Sequence, residues 1–571
     1  MSADGVPSGL RRLRRHARER RGWLIVLGLC AAGEAFAQSG SWLLVRLGIN
    51  DGIVPGDETV LRWSVAAYAA AAVAGWLLMG VVIRGLARLG QELVLGLRRE
   101  LFDHLTSLSL RYFSEQRAGW IIARLTSDVD AISDVLSQGL PTLVTNAVLL
   151  PAAVAALFVN DWRLGLISLV VLPPAIVLTR WFQRRSAVVQ LEVRNRIAAV
   201  TAHLAESVAG VAIVQSFRRK RGFGERFDAL NADNRAANVR AQRISSVFFP
   251  SIEFLGVVAT VAVLAFGAGL LPNSEIGTLA AAYFLLGLVF QPLQELSDVY
   301  GQLQAASAAM IKISAVLDAE PDIESPRPAR DPGRLHGEVA FDGVRFAYGD
   351  KEVLHGIDLV VPAGACTALI GESGGGKSTL AKLVARFYDP TSGAVRVDGV
   401  DLREYDLHAY RRQLGVVLQD PFLFTGTIAD NVRFARPDAS AEQVSETAAL
   451  LGLDRLARRF KDGLDHPVHE GGSGLSAGER QLISIARALL ADPRILILDE
   501  ATSNIDRPTE LLIERALDRL LAGRTSIIIA HRLSTVRRAD EIVVVDHGTI
   551  VQRGSEAALL EVDGPYRRLA A

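Results

Sequence analysis

The sequence contains few cysteines, and the two that occur, Cys30 and Cys366, lie far apart in unlike surroundings. Two isolated thiols cannot form a disulfide framework or the paired ligands of a zinc site, so a reducing compartment suits the soluble part of the chain. An excess of either charge is also absent, because 62 basic residues balance 62 acidic residues. The overall charge therefore gives no argument for nucleic acid as a partner.

Long apolar runs are abundant instead. Hydrophobic residues make up 50% of the sequence, which is a high share for a soluble enzyme. Several runs come close to or exceed the length needed to cross a bilayer, which is about 20 residues. These runs are Trp23–Val45, Ser64–Ile83, Leu136–Val159, Leu164–Phe182, Ile244–Leu271 and Ile276–Tyr300. The sequence therefore predicts an all-α transmembrane domain of six helices over residues 23–316.

The placement of arginines predicts the orientation of these spans. Seven arginines fall within residues 11–21, and more crowd the connections after the second and fourth spans. The positive-inside rule then places both termini and these long connections on the cytoplasmic side. Helical hairpins built from the long connections would project about 30–35 Å from the membrane. The basic residues 1–22 also resemble the start of a cleavable signal peptide, but Glu34 interrupts the apolar run and favours a full span.

Residues 371–379 fit the phosphate-binding pattern G-x-x-x-x-G-K-[ST]. The apolar run Cys366–Ile370 precedes them as a predicted strand, and Leu380–Phe387 follows with helical spacing. Glycines allow successive backbone N–H groups to surround an anion, and the helix start adds its positive end. The predicted nucleotide-binding loop consists of Gly371, Glu372, Ser373, Gly374, Gly375, Gly376, Lys377, Ser378 and Thr379. In this loop Lys377 would reach the outer phosphates, and the hydroxyl of Ser378 would bind Mg²⁺.

A second motif is the apolar run at residues 495–498, which ends in two carboxylates, Asp499 and Glu500. Asp499 would help to hold Mg²⁺, and Glu500 would orient or deprotonate the water that attacks the phosphate. A proline-rich segment within residues 317–336 reads as a linker. Residues 337–571 are then predicted to form a separate α/β domain.

The run at residues 475–481 reads Leu-Ser-Ala-Gly-Glu-Arg-Gln, and it resembles the signature L-S-G-G-Q of ATP-binding cassette (ABC) proteins. With the other motifs in the order that the family requires, nearly the whole chain resembles an exporter-type ABC half-transporter of the bacterial multidrug and lipid exporters. The resemblance implies a six-helix transmembrane domain with long cytoplasmic helical extensions, fused to an α/β P-loop ABC nucleotide-binding domain. It also implies ATP and Mg²⁺ as cofactors, and a bacterial inner membrane as the location.

Further roles follow from the resemblance. Tyr348 would stack on adenine, Gln419 would sense Mg²⁺, and His531 would contact the γ-phosphate. Residues 113–119 and 206–217 resemble the two segments that couple the membrane domain to the cassettes. The implied catalytic set is Gln419, Asp499, Glu500 and His531, and the implied Mg²⁺ ligands are Ser378, Gln419 and Asp499.

In this family two cassettes pack head to tail, so Ser476 and Gly478 would face the ATP of a partner chain, as would Asp506. The signature has Ala477 in place of glycine and Glu479 in place of glutamine. Glu479 suits the helix start but brings a negative charge near a triphosphate. These departures resemble one subunit of the heterodimeric multidrug exporters, which favours a heterodimer over a homodimer.

Polar residues inside the apolar runs are candidates for a substrate pathway. Glu34 and Gln38 share one helical face of the first span, and Glu253 lies in the fifth. A carboxylate within a membrane is costly and faces a cavity, or else pairs with a neighbouring helix, and both interpretations stay open. The leading function is ATP-driven export or flipping of amphipathic compounds, drugs or lipids. An importer on the same fold and a nucleotide-gated channel or sensor are the alternatives.

Overall fold

A computed structural model describes residues 21–270, 275–457, 459–499, 506–530 and 532–570. The chain forms two compact units. The first contains the residues up to Ser107 together with Arg117–Ala319, and the second contains Leu108–Gln116 together with Glu320–Ala571. The predicted basic N-terminus lies almost wholly outside the described residues, which begin at Arg21.

The described part of the first unit consists of helices joined by short turns. Its helices are α1 (Arg21–Leu47), α2 (Glu58–Ser107), α4 (Ala118–Ala123), α5 (Val129–Asp134), α6 (Leu140–Asn160), α7 (Trp162–Leu169), α8 (Leu172–Ala209), α9 (Val211–Ser216), α10 (Lys220–Leu270) and α11 (Ile276–Leu317), while α3 (Leu110–Glu115) belongs to the second unit. Six described segments are long and apolar enough to span a membrane, namely Gly22–Ile53, Glu58–Ser107, Ala118–Asn160, Trp162–Ala209, Lys220–Gly267 and Ile276–Leu317. Each overlaps one predicted run, so the prediction of six spans is confirmed.

The helices extend well beyond the length that a bilayer requires. Helix α2 contains 50 residues, which corresponds to about 75 Å at the usual rise per residue. The third span passes through two π-helical segments, Arg124–Asp128 and Val135–Gly139. The fourth span breaks between α7 and α8, just before Pro173 and Pro174, because proline lacks the N–H that a continuous helix needs.

One group of polar contacts, here called the polar clasp, joins the ends of three spans. A π-helical turn, Gly48–Ile53, follows α1. Its Asn50 side chain accepts the N–H of Gly277 at 2.7 Å and donates to the Thr278 hydroxyl at 3.0 Å. The Asn160 amide donates to the Thr278 carbonyl at 2.9 Å, and Arg46 donates to the Asn160 carbonyl at 2.6 Å. The clasp therefore fixes the ends of α1, α6 and α11 against one another.

The second unit is an α/β domain built on two sheets. Its strands are β1 (Val339–Tyr348), β2 (Lys351–Val361), β3 (Cys366–Ile370), β4 (Ser392–Val397), β5 (Val400–Asp401), β6 (Leu414–Val417), β7 (Gly426–Thr427), β8 (Pro467–Val468), β9 (Ile495–Asp499), β10 (Thr525–Ile529), β11 (Glu541–Asp546) and β12 (Thr549–Gly554). The larger sheet has the order β12-β11-β3-β10-β9-β6, in which β12 alone is antiparallel. A second, antiparallel sheet has the order β2-β1-β4-β5.

Helices cover both faces of the larger sheet or connect its strands. They are α12 (Lys377–Val384), α13 (Leu407–Arg411), α14 (Ile428–Arg433), α15 (Ala441–Leu450), α16 (Leu453–Ala457), α17 (Ala477–Leu490), α18 (Arg507–Leu521), α19 (Leu533–Val536), α20 (Glu556–Glu561) and α21 (Pro565–Ala570). Alternate strand residues such as Leu498 and Ile497 enter two different apolar cores, one with α17 and α18 and one with α12 and the antiparallel sheet. Because the strands run parallel, the loops after their carboxyl ends meet at one edge of the sheet.

Candidate nucleotide site

The phosphate loop connects β3 to α12 through backbone conformations that favour glycine. Gly371 has a φ of +136°, and a Cβ at this position would overlap the carbonyl oxygen of Val545. Gly376 has a φ of +104°, and its Cβ would lie 2.7 Å from the side chain of Leu354. Both the backbone angle and the space available therefore require glycine at these two positions.

Lys377 is the first residue of α12, and its side chain folds back across the loop. Its ammonium group donates to the carbonyl oxygens of Gly371 at 2.8 Å and Glu372 at 2.7 Å. Burial lowers the pKa of Lys377, whereas the carboxylate of Asp499 opposes this shift. A positive charge thus lies within the loop, close to the carboxylate that ends β9. The side chains of Ser373 and Ser378 remain exposed beside it.

The carboxyl edge of the parallel sheet brings the second motif to the same side as the loop. Asp499 ends β9, and β9 is separated from β3 only by β10. Gln419 follows β6, the neighbour of β9, and is exposed. A hydroxyl, a carboxylate and an amide oxygen are ligands that suit Mg²⁺, so Ser378, Asp499 and Gln419 fit this ion chemically. The predicted catalytic residues Glu500 and His531 lie outside the described residues.

Tyr348 ends β1 and presents a ring that is 36% exposed. The rings of Phe346 and Tyr388 meet it edge to face, with centroid distances of 4.8 and 5.3 Å. The ammonium of Lys382 lies 5.9 Å from the Tyr348 centroid. These contacts hold the ring beside α12 and leave an aromatic surface on which a base can stack. The sequence identified Tyr348 but gave no signal for Tyr388, which follows α12 after three residues of loop.

The second unit also contains residues 113–116 of the first segment that resembles a coupling element. The Ser114 hydroxyl in α3 lies 3.5 Å from the hydroxyl of Tyr388. Arg111 forms an ion pair with Asp322 at 3.5 Å, and Ser109 donates to the same carboxylate at 3.1 Å. Helix α3 is thereby attached to the ring that supports Tyr348.

The signature motif forms the start of α17, with Ser476 as the N-cap residue. The Ser476 hydroxyl accepts the N–H of Glu479 at 3.3 Å, and the Glu479 carboxylate accepts the N–H of Ser476 at 2.7 Å. Ser476 and Ala477 are exposed, whereas Gly478 and Glu479 are buried. Such an exposed helix start with a serine hydroxyl can bind an anion.

The Glu479 side chain turns into the protein and is only 5% exposed. Its second oxygen accepts a hydrogen bond from Arg459 at 2.7 Å. The negative charge is therefore compensated, which the sequence alone did not indicate, because Arg459 lies twenty positions earlier and carries no recognisable motif. Asp506, the N-cap of α18, is exposed and accepts the Thr509 hydroxyl at 3.0 Å.

The polar residues predicted for a substrate pathway occupy different surroundings. Glu34 is buried within the helices of the first unit, Gln38 is half-buried, and Glu253 is exposed. These three side chains therefore do not form one exposed polar surface. A cavity of about 400 Å³ in the same unit is lined by other residues, among them Phe182, Gln190, Arg194, Phe249, Asp298 and Tyr300. This cavity leaves no signal in the sequence, because its lining residues come from three separate helices, α8, α10 and α11.

Comparisons with known proteins match both halves. Residues 24–293 match the family model of the ABC transporter transmembrane region, and residues 354–503 match the ABC transporter model. A fatty acid ABC transporter ATP-binding/permease protein of Mycobacterium bovis is 37% identical over 90% of this chain and 83% of its own length. A multidrug efflux ATP-binding/permease protein of the same species is 38% identical over 99% of this chain, which spans 48% of that relative.

A solved structure, described as a bacterial Atm1-family ABC exporter with ATP bound, matches with a TM-score of 0.80 and 27% identity over 98% of each chain. Both halves of the chain thus have counterparts in the same kind of protein, in the same order. The chain belongs to the ABC transporter family, as a multi-pass membrane protein that joins a six-span transmembrane region to an ATP-hydrolysing cassette.

Proposed function

We propose that this chain is one subunit of a dimer that uses ATP hydrolysis to export or flip amphipathic compounds, drugs or lipids by alternating access. The observation that carries the proposal is one polypeptide with six membrane spans and a cassette whose phosphate loop, Asp499 and Gln419 share one sheet edge. The relatives named for multidrug efflux and for fatty acids support an amphipathic substrate.

ATP would lie between the phosphate loop of one chain and the signature of the other. Lys377 would bind the outer phosphates and Tyr348 would stack on adenine. Ser476 and Gly478 would reach the γ-phosphate of the ATP held by the partner chain. Asp506 would contribute from the loop that crosses to the partner's site. The loop residues in contact with nucleotide would be Gly371, Glu372, Ser373, Gly374, Gly375, Gly376, Ser378 and Thr379.

Hydrolysis needs positioned charges more than covalent chemistry. Ser378, Gln419 and Asp499 would hold Mg²⁺, which when bound neutralises charge on the phosphate oxygens. Glu500 would orient the attacking water or accept its proton, and His531 would contact the γ-phosphate. Because ADP lacks the phosphate that the signature binds, only ATP would hold two cassettes together, which is how a ligand shifts a conformational equilibrium.

Half-transporters of this type work as dimers. We favour a heterodimer over a homodimer because Ala477 and Glu479 depart from the usual signature. We further propose a bacterial inner membrane, with both termini and the cassette in the cytoplasm, on the basis of arginine placement.

Transport by reconstituted vesicles tests this function. The chain is purified alone and together with its co-expressed partner, and vesicles are assayed with Mg-ATP against lipids, cationic dyes and peptides. We expect ATP-dependent movement into inverted vesicles, robust only with the partner. Robust ATPase of the chain alone would contradict the heterodimer, and movement in the opposite direction would favour the importer.

Two variants separate the pump from the channel. Glu500→Gln should retain ATP but abolish both turnover and transport. Lys377→Met should weaken nucleotide binding by about 10- to 100-fold, since hydrogen bonds to a charged group contribute roughly 1.5–3 kcal/mol. The exposed Lys351 provides the matched control, Lys351→Met, which should bind normally. Ion conductance that survives Glu500→Gln would contradict the pump.

A further inference from the structure

The surroundings of Glu479 are more specific than a helix cap requires. A capping box needs only an acceptor three residues after the N-cap, and a glutamine supplies one without charge. This chain instead has a carboxylate, and its two oxygens accept from different donors: Oε2 from the N–H of Ser476, and Oε1 from Arg459. The guanidinium and the signature serine are therefore joined through one buried carboxylate.

Arg459 differs from Glu479 in its exposure. The Glu479 side chain is 5% exposed, whereas the Arg459 side chain is 70% exposed. Hydrogen bonds from Thr509 hold the pKa of Asp506 below its ordinary value, and the positive charge of Arg459 contributes to that shift. Arg459 thus lies at the surface near both the signature and Asp506, the two features that would meet the partner's nucleotide.

The neighbouring contacts fix the same turn from its other side. Arg480 donates to the Leu475 carbonyl at 2.7 Å, and its stem occupies the space beside Gly472, where a Cβ would lie 2.6 Å from it. Ser476 therefore projects from a turn that is held by two arginines. Its hydroxyl oxygen accepts from the Glu479 N–H, which leaves the hydroxyl proton available to an outside anion.

We propose that Arg459 is a positioning residue for ATP hydrolysis, because it neutralises the buried Glu479 carboxylate and so keeps Ser476 oriented toward the γ-phosphate held by the partner chain. The inference rests on the proposed function, in which two cassettes enclose ATP. Without Arg459, an uncompensated buried carboxylate would remain beside the triphosphate site and repel it. With glutamine at position 479 no such charge exists, so Arg459 would become dispensable.

A double-mutant cycle on the purified transporter tests this dependence. The variants are Arg459→Met, Glu479→Gln and the two combined, with ATPase measured over a range of Mg-ATP concentrations. We expect Arg459→Met to raise the KM for ATP about tenfold, which corresponds to the loss of roughly one charge-assisted hydrogen bond. Glu479→Gln should stay within about threefold of the wild type, and the double variant should match it. Arg459→Lys should restore most of the lost affinity.

A further readout excludes a merely structural effect. ADP lacks the phosphate that the signature would bind, so the Kd for ADP should be the same in all variants. Arg396→Met, which breaks the exposed Arg396–Asp342 pair on the antiparallel sheet, is the control and should change neither constant.

The same ATPase measurements distinguish a failure of the positioning role of Arg459 from a failure of the proposed function. Three results would overturn the inference even if the wild-type transporter hydrolyses ATP. The KM for ATP could be unchanged in Arg459→Met, or Arg459→Met could raise it equally in the Glu479→Gln background. Arg459→Met could also weaken ADP binding as much as ATP binding. A wild-type transporter with no ATPase would overturn the proposed function, and this inference with it.

Discussion

At the residue scale, burial is expected to make the Cys366 thiol unreactive, and the sequence alone does not indicate whether this thiol is buried. It begins β3, where the carboxylate of Asp540 accepts its backbone N–H at 2.8 Å. Burial raises the pKa of the Cys366 thiol to about 12, and the charge of Asp540 adds to the shift. Because the pKa is raised in the folded state, the protonated thiol contributes fully to the free energy of unfolding at a pH below the pKa of an unfolded cysteine. This contribution is lost as the pH rises toward the pKa of the folded state.

We expect Cys366 to react slowly with iodoacetamide near neutral pH, because the thiolate is the reactive form. The test uses the Cys30→Ser background and compares the folded protein with the protein in denaturing detergent. Labelling in the folded state should be slower by at least about 100-fold, given both the raised pKa and the burial. A cysteine placed at the exposed Val551 is the control and should react quickly. Equal rates for the two folded thiols would contradict the burial of Cys366.

The sequence alone predicts which residues form the nucleotide-binding loop, because the motif consists of consecutive residues. The signal for Lys377 and Ser378 is contained in nine consecutive positions. The partner of Glu479 could not be read in this way, because Arg459 meets it only after the intervening loop has folded. The sequence therefore reveals the charge at position 479 but not the guanidinium that compensates it.

At the scale of elements, strand β3 coincides with the predicted Cys366–Ile370 because an apolar run there ends at a glycine loop. Helix α12 begins at Lys377, three residues before the predicted Leu380–Phe387, and ends at Val384. The polar residues Lys377 and Ser378 carry no apolar period, so periodicity alone missed the first turn. Its true start is set by Gly376, whose left-handed conformation forms the N-cap.

In the membrane helices, too, features set by consecutive residues were predicted, whereas features set by the packing of distant residues were not. Hydrophobicity predicted where each span crosses. The π-helical segments of the third span left no recognisable pattern, because they depend on how the helices pack. The polar clasp was also missed, since Asn50, Asn160 and Thr278 are far apart in the sequence.

Helix α11 offers a matched pair of glycines that tests the clasp. A Cβ at Gly277 would lie 2.6 Å from the Arg46 carbonyl oxygen and 2.7 Å from the Asn50 side chain, whereas a Cβ at Gly287 would meet nothing within 4 Å. We expect Gly277→Ala to separate α11 from α1 and lower the melting temperature in detergent by several degrees, about 1–3 kcal/mol. Gly287→Ala should be neutral or stabilising by up to about 1 kcal/mol, because alanine is the better helix former. Equal melting temperatures would show that the clasp does not constrain the helices.

At the scale of the whole molecule, a complete ATP site of the proposed kind requires a second chain. The described site of one chain contains the phosphate loop and Asp499, while the signature of the same chain would serve the other nucleotide. The proposed switch would therefore be a property of the dimer, driven by the binding of ATP between two cassettes.

The distance between the two cassettes is the measurement that tests this claim most directly. In the Glu500→Gln complex, one spin label is attached to a cysteine at the exposed Val551 of this chain and a second to an exposed cysteine introduced in the cassette of the partner subunit. Cys30 of this chain is replaced by serine, and Cys366 is retained because it is buried. Pulsed electron resonance then gives the distance between labels without nucleotide, with Mg-ADP and with Mg-ATP. We expect a shorter and narrower distance distribution with Mg-ATP alone, while Mg-ADP leaves the nucleotide-free distribution unchanged. The same distribution under all three conditions would contradict this claim.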